Sequence, residues 1–114
     1  MILLCLGRHA KYLKRFSFKN ATLSEDAIQV LLEECAHLEH VDLEASTLFS
    51  NHVFIVFSEF GSHLKSLNLS HSKNLELNEP LLAMKSVEKL LLIGIPVSVD
   101  LFVSCPLLEI LILT

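Results

Sequence analysis

The sequence predicts an α/β solenoid, a horseshoe arc with a parallel sheet on its concave face and helices or irregular turns on its convex face. Three observations carry that expectation. The stretches HLEHVDLEAS (His37–Ser46) and HLKSLNLSHS (His63–Ser72) both fit H-L-x-x-[VL]-x-L-x-x-S and start 26 residues apart. An L-x-x-L-x-L pattern recurs in five rows along the chain. Between the first rows the apolar spacing changes from the period of a strand to that of a helix.

The rows are Leu13, Phe16, Phe18; Leu38, Val41, Leu43; Leu64, Leu67, Leu69; Val87, Leu90, Leu92; and Leu108, Leu111, Leu113. Their first positions are 25, 26, 23 and 21 residues apart, inside the roughly 20–29-residue range of a leucine-rich repeat. In the first three rows the two positions after the first anchor stay polar, so the pattern is not a by-product of an apolar composition. Side chains alternate between faces along a strand, so the anchors point inward and the residues between them outward. One such strand cannot bury its apolar side alone; parallel stacking at about 4.8 Å turns the anchors into a continuous ladder.

Composition bounds the rest. The 114 residues are enough for a single domain of about five repeats, expected to be part of a longer solenoid. At 52% hydrophobic and a mean hydropathy of +0.53, the chain is not disordered. A net charge of −4 argues against nucleic acid as the partner, which needs a basic face. Three scattered cysteines (Cys5, Cys35, Cys105) fit a reducing compartment, cytoplasmic or nuclear. The start MILLCL is no signal peptide, because its basic residues follow the apolar run. The stretch Leu90–Leu108 is no membrane span: Asp100 near its middle costs roughly 2.5–3.5 kcal/mol on insertion, and Pro96 and Pro106 interrupt it.

The returns form the opposite wall. In the first, Ile28, Leu31, Leu32 and Cys35 mark one helical face, and Thr22 with Glu25 matches a capping box. Val53, Val56, Phe57 and Phe60 repeat the helical face in the second. The later returns are shorter and carry Pro80 and Pro96, which predicts single helical turns or irregular loops.

The stretch LSEDAIQVLLEECAHLEHVDLEAS resembles the cysteine-containing leucine-rich repeats of F-box proteins, where a cysteine stands three residues before the first strand leucine. Cys35 precedes Leu38, and Cys105 precedes Leu108, in this way. Ala10, Gly61 and Met84 replace the cysteine in the other rows, and Ala21, Ser46, Ser72 and Ile95 stand where the subclass favours a second one. The resemblance implies substrate recognition for a ubiquitin ligase, although no F-box segment lies within these residues.

Chemical constellations are sparse. His37-x-x-His40 resembles a ligand pair but has no further ligands at fixed spacing, so neither metal nor cofactor is expected. Cys35 beside His37 suggests a thiol nucleophile, yet the helical face assigns Cys35 to the core, where a thiol is inert. The sequons at Asn20 and Asn68 read as coincidence without a signal peptide, and glycine-rich phosphate loops are absent. The chain is therefore expected not to be an enzyme.

The informative surface is the concave sheet. Outward positions run Arg15, Ser17, Lys19; His40, Asp42, Glu44; Ser66, Asn68, Ser70; Lys89, Leu91, Ile93; and Ile110, Ile112, Thr114. The face passes from basic through acidic and neutral to apolar, with Lys19 expected opposite Glu44. A protein partner is expected on His40, Asp42, Glu44, Ser66, Asn68, Ser70, Lys89, Leu91, Ile93, Ile110 and Ile112. The alternative is a structural segment of a larger repeat protein with no independent partner. Neither end shows a polar cap, with Ile2, Leu3, Leu4 and Leu6 at one and Leu108, Leu111 and Leu113 at the other. Self-association through uncapped ends is the expected consequence.

Overall fold

The computed structural model describes residues 10–113. Its strands are β1 (Arg15–Ser17), β2 (Thr22–Leu23), β3 (His40–Asp42), β4 (Thr47–Leu48), β5 (Ser66–Asn68), β6 (Lys89–Leu91) and β7 (Ile110–Ile112). Its helices are α1 (Glu25–Glu34), α2 (His52–Phe60) and α3 (Leu101–Ser104). Five strands form one parallel sheet in the order β1-β3-β5-β6-β7, and β2 pairs with β4 in a second, two-stranded sheet. The fold is α/β. Parallel neighbours require long crossovers, which the returns between rows supply.

The predicted anchors lie side by side: Phe16, Val41, Leu67, Leu90 and Leu111 are register partners across the large sheet. Backbone stacking continues past the strand ends, where Phe18 N donates to Asp42 O at 2.9 Å and Leu43 N to Asn68 O at 2.9 Å. Leu69 N does the same to Leu91 O, and Leu92 N to Ile112 O, each at 3.0 Å. One residue per row then turns left-handed: Asn20, Ala45, His71 and Gly94, with φ of 56, 60, 59 and 79°. That residue redirects the chain from the sheet into the return.

Four of the five rows also begin alike. The amide of the first anchor donates to the carbonyl three residues earlier: Leu13 to Ala10, Leu38 to Cys35, Leu64 to Gly61 and Leu108 to Cys105, at 3.0–3.1 Å. In three of these rows the carbonyl belongs to the residue capping the preceding helix, so a single turn joins return to strand.

Helix α1 buries Ala27, Ile28, Leu31 and Leu32, and Cys35 closes it from the core. Its cap differs from the expected Thr22–Glu25 box. Ser24 is the N-cap, accepting from Ala27 N at 3.2 Å. Thr22 is unavailable because it stays extended to pair with Thr47 of β4. Glu25 and Asp26 occupy the first turn, where the helix dipole favours negative charge.

Helix α2 buries Val53, Val56 and Phe57 as expected and adds Phe54, whereas Phe60 is half-buried. The third return contains no helix and is tied to α2 by Ser58, whose hydroxyl lies 3.0 Å from Leu81 O and accepts from Ala83 N at 2.7 Å. The fourth holds the one-turn α3, capped by Asp100 accepting from Phe102 N at 3.0 Å.

Leucines of the middle rows are fully buried, as are Phe54, Phe57 and Cys105. The outer rows are less covered: Leu13, Phe16, Phe18, Leu108 and Leu111 are half-buried and Leu113 is 42% exposed. Strands β1 and β7 border the sheet, so each has only one neighbour among the described residues. Ile2, Leu3, Leu4, Leu6, Cys5 and Thr114 lie outside the described residues. The apolar stretch Leu90–Leu108 forms the end of β6, a turn and α3. Among the described residues no helix is long and apolar enough to cross a membrane.

Candidate functional site

Register places the outward residues on two lines across the sheet. Arg15, His40, Ser66, Lys89 and Ile110 form one; Ser17, Asp42, Asn68, Leu91 and Ile112 form the other. A shallow groove of about 420 Å³ runs along them from β1 to β6, lined also by Phe16 and Val41, and does not reach Ile110 or Ile112. Arg15 and Ser17 line it too, so the groove extends one strand beyond the expected site residues. The signal was present, since both are outward positions of the first row.

The expected Lys19–Glu44 contact forms, with Nζ 3.6 Å from Glu44 Oε2, and Lys19 also reaches Asp42 Oδ2 at 3.5 Å. Asp42 Oδ1 accepts from Glu44 N, and Asn68 Oδ1 from Ser70 N, each at 3.0 Å. These turns hold the third outward position of each strand in place. At the lower rim Lys65 Nζ lies 2.8 Å from Glu39 Oε2. That hydrogen bond and ion pair draw the Glu39 carboxyl below its ordinary range and raise the Lys65 ammonium.

In the middle of the groove, His40 Nδ1 and Ser66 Oγ are 3.1 Å apart. Burial, and then the charge of Arg15, hold the His40 imidazole below its ordinary value, so it is the neutral ring near pH 7. Their mutual hydrogen bond uses one donor and one acceptor, and the pair keeps one further donor and spare acceptor capacity for a bound segment.

Ser70 departs from the expected surface. It is 1% exposed, and its Oγ accepts from Ile93 N at 3.0 Å. Strand alternation ends at Asn68, because the backbone is already turning toward left-handed His71, and Ser70 faces the turn instead of solvent. The apolar end is divided as well. Leu91 and Ile93 are half-buried, whereas Ile110 and Ile112 are exposed beside Phe102, Val103, Leu107 and Leu113.

A second hollow, of about 280 Å³, lies at the strand N-termini and is lined by Lys14, Ala36, His37, Glu39 and His63. His37 and His63, from adjacent rows, both line it. His37 stacks on Tyr12 with ring centroids 5.2 Å apart, and His63 Nε2 is buried without a hydrogen-bond partner. Among the described residues no group of three or more His, Cys, Asp or Glu side chains converges for a metal ion.

Cys35 and Cys105 belong to the core. Burial is the main cause that raises the thiols of Cys35 and Cys105 above their ordinary value, and both are free. Sequence reasoning missed two buried hydroxyls at the turn after the strand. Ser46 Oγ bonds Phe18 O at 3.3 Å and accepts from Ala21 N at 3.3 Å, and Ser72 Oγ donates to Leu43 O at 3.4 Å. Comparison of the chain with protein-family models, curated proteins and solved structures gives no match.

Proposed function

We propose that the chain is a leucine-rich-repeat solenoid segment whose concave face binds a protein partner. The observation that carries this reading is the groove itself: parallel register gathers polar and charged outward side chains of four adjacent strands over one continuous depression. Repeated row starts, left-handed turns and buried ladder residues support the repeat assignment. With the resemblance to F-box-type repeats, the partner class is a substrate protein of a ubiquitin ligase, recognised in a reducing compartment. Catalysis has no part in this reading.

Affinity capture tests it. Wild-type chain is compared with an Asn68→Arg, Ile112→Asp variant whose circular dichroism matches the wild type. A protein retained by the first and lost by the second supports the concave site. Equal retention by both ends it.

A second reading, a structural segment of a larger repeat protein, is favoured by the exposed Phe102, Val103 and Leu107 along the last row. Such side chains suit a neighbouring repeat better than solvent.

A further inference from the structure

Resting on the concave-face reading, we propose that the partner presents an acidic, extended segment laid across the strands, with carboxylates four residues apart over Arg15 and Lys89.

The first argument is charge. The chain carries −4 overall, yet the acidic side chains of its concave face are already engaged. Asp42 and Glu44 share Lys19 at 3.5 and 3.6 Å, which leaves one carboxylate charge there against the two cations Arg15 and Lys89, and Glu39 holds Lys65 at 2.8 Å. Arg15 and Lys89, both exposed and both lining the groove, make no ion pair among the described residues. The groove is left with unneutralised cations at its two ends. Glu88 and Glu109 border the same cations from the lower rim, so an anion is favoured above that rim, over the groove, and not below it.

The second argument is distance. Arg15 and Lys89 stand on one register line with His40 and Ser66 between them. Three strand spacings of about 4.8 Å separate their backbones by roughly 14 Å, while an extended chain advances about 3.3 Å per residue, or roughly 13 Å over four. Side chains at i and i+4 of an extended segment also share a face. A segment crossing the sheet therefore places one carboxylate over each cation. Its residue i+2 falls between His40 and Ser66, whose 3.1 Å pair supplies hydrogen-bonding capacity for a small polar side chain.

His40 reports the event. Arg15, Glu39, Lys65 and Glu88 are the charged groups that act on its ring, and Arg15 opposes its protonation. A carboxylate seated on Arg15 offsets that opposition. Binding then strengthens as pH falls toward 6, an effect absent from a His40→Gln variant.

The test is amide chemical-shift titration of the 15N-labelled full chain with synthetic extended peptides, identical except for Glu, Gln or Lys at two positions four apart. The expected result is shifts at residues 15, 40, 66 and 89 and about two- to tenfold tighter binding of the Glu peptide than of the Gln peptide, as for two exposed ion pairs. An Arg15→Glu, Lys89→Glu variant with an unchanged dispersed spectrum should prefer the Lys peptide. Should that variant unfold, Arg15→Gln in the wild-type background should cut the preference for Glu to about its square root, since one of the two ion pairs remains. Groove shifts that are equal for the Glu and Gln peptides, or stronger for Lys, overturn the acidic segment and leave the concave site standing. Absence of groove shifts with every peptide overturns both.

Discussion

The thiol of Cys35 donates a hydrogen bond to the backbone carbonyl of Ala10, 3.4 Å away and at the equivalent position one row earlier. Cys105 also meets the backbone of the equivalent residue one row earlier, Met84, but in a hydrogen bond that favours the thiolate. The cysteine is therefore both a small core residue and a rung between successive turns. Because burial raises both thiols, native chain at pH 8 should react with iodoacetamide far more slowly at Cys35 and Cys105 than urea-unfolded chain does. Equal rates, followed by peptide mass spectrometry, would show that the thiols are open. Cys35→Ala should cost about 1–2 kcal/mol through the lost bond and the space left behind.

Two glycines should resist substitution for different reasons. Gly94 is left-handed at φ +79°, and an added Cβ would stand 3.2 Å from His71 Nδ1. Gly61 has an ordinary φ, but its added Cβ would come within 2.6 Å of Phe57 O. Each change to Ala should lower the urea midpoint by the equivalent of about 1 kcal/mol or more. An unchanged midpoint for Gly61→Ala would mean that the α2 end relaxes freely.

These positions show what was legible in the sequence. The leucine spacing exposes the rows because every anchor must enter the same ladder, and the helical face of α1 follows from its apolar period. The turn after each strand was not legible. Ala45 and His71 adopt φ near +60° for want of choice, held by Ala45 N to Ser70 O at 2.8 Å and His71 N to Ile93 O at 2.7 Å. Alanine does not announce that conformation and histidine does so only weakly, whereas Asn20 and Gly94 do. The same turn buries Ser70, which pure alternation places on the surface. Charge pairing at Lys19 could be read from strand alternation, but the second partner, Asp42, depends on a long side chain reaching along the strand.

Acid should destabilise the fold through His63. Its Nε2 is buried without a partner and burial holds its imidazole below the ordinary 6.5. The folded state therefore disfavours the proton relative to the unfolded chain. This contribution is fully present above pH 6.5 and is lost as pH falls through the lower, folded value. His40, also lowered, adds in the same direction. Urea midpoints should fall between pH 7 and 5, and His63→Gln should flatten that slope. A slope left intact by His63→Gln would assign the effect to other groups.

Charge in the ladder should be far more damaging than charge on the face. Leu43 and Leu69 are 1% and 0% exposed, and a carboxylate there has no partner. Leu43→Asp or Leu69→Asp should cost several kcal/mol and abolish cooperative melting. Asn68→Asp, one residue away but outward, should leave melting nearly unchanged. Similar melts for Leu69→Asp and wild type would end the ladder account.

The free edge of β7 should drive the 114-residue chain to associate with itself. Ile110, Ile112 and Leu113 are 47, 39 and 42% exposed there, and the outer backbone groups of β7 have no strand partner among the described residues. Proteins commonly protect such an edge with charge, as β1 does with Arg15 and nearby Lys14 and Lys19, whereas Glu109 is the only charged residue beside β7. Ile112→Lys supplies the missing charge without touching the inward ladder, since Leu111 and not Ile112 is the register partner of Leu90. Sedimentation should show dimers or larger species of the wild type at micromolar concentration and monomer for Ile112→Lys. The amide of Leu111, which alternation turns away from β6, should be protected from hydrogen exchange only in the associated form, whereas Ile110 N already donates to Glu88 O at 2.9 Å. A wild type that stays monomeric at that concentration, like Ile112→Lys, would remove the edge as a site of association.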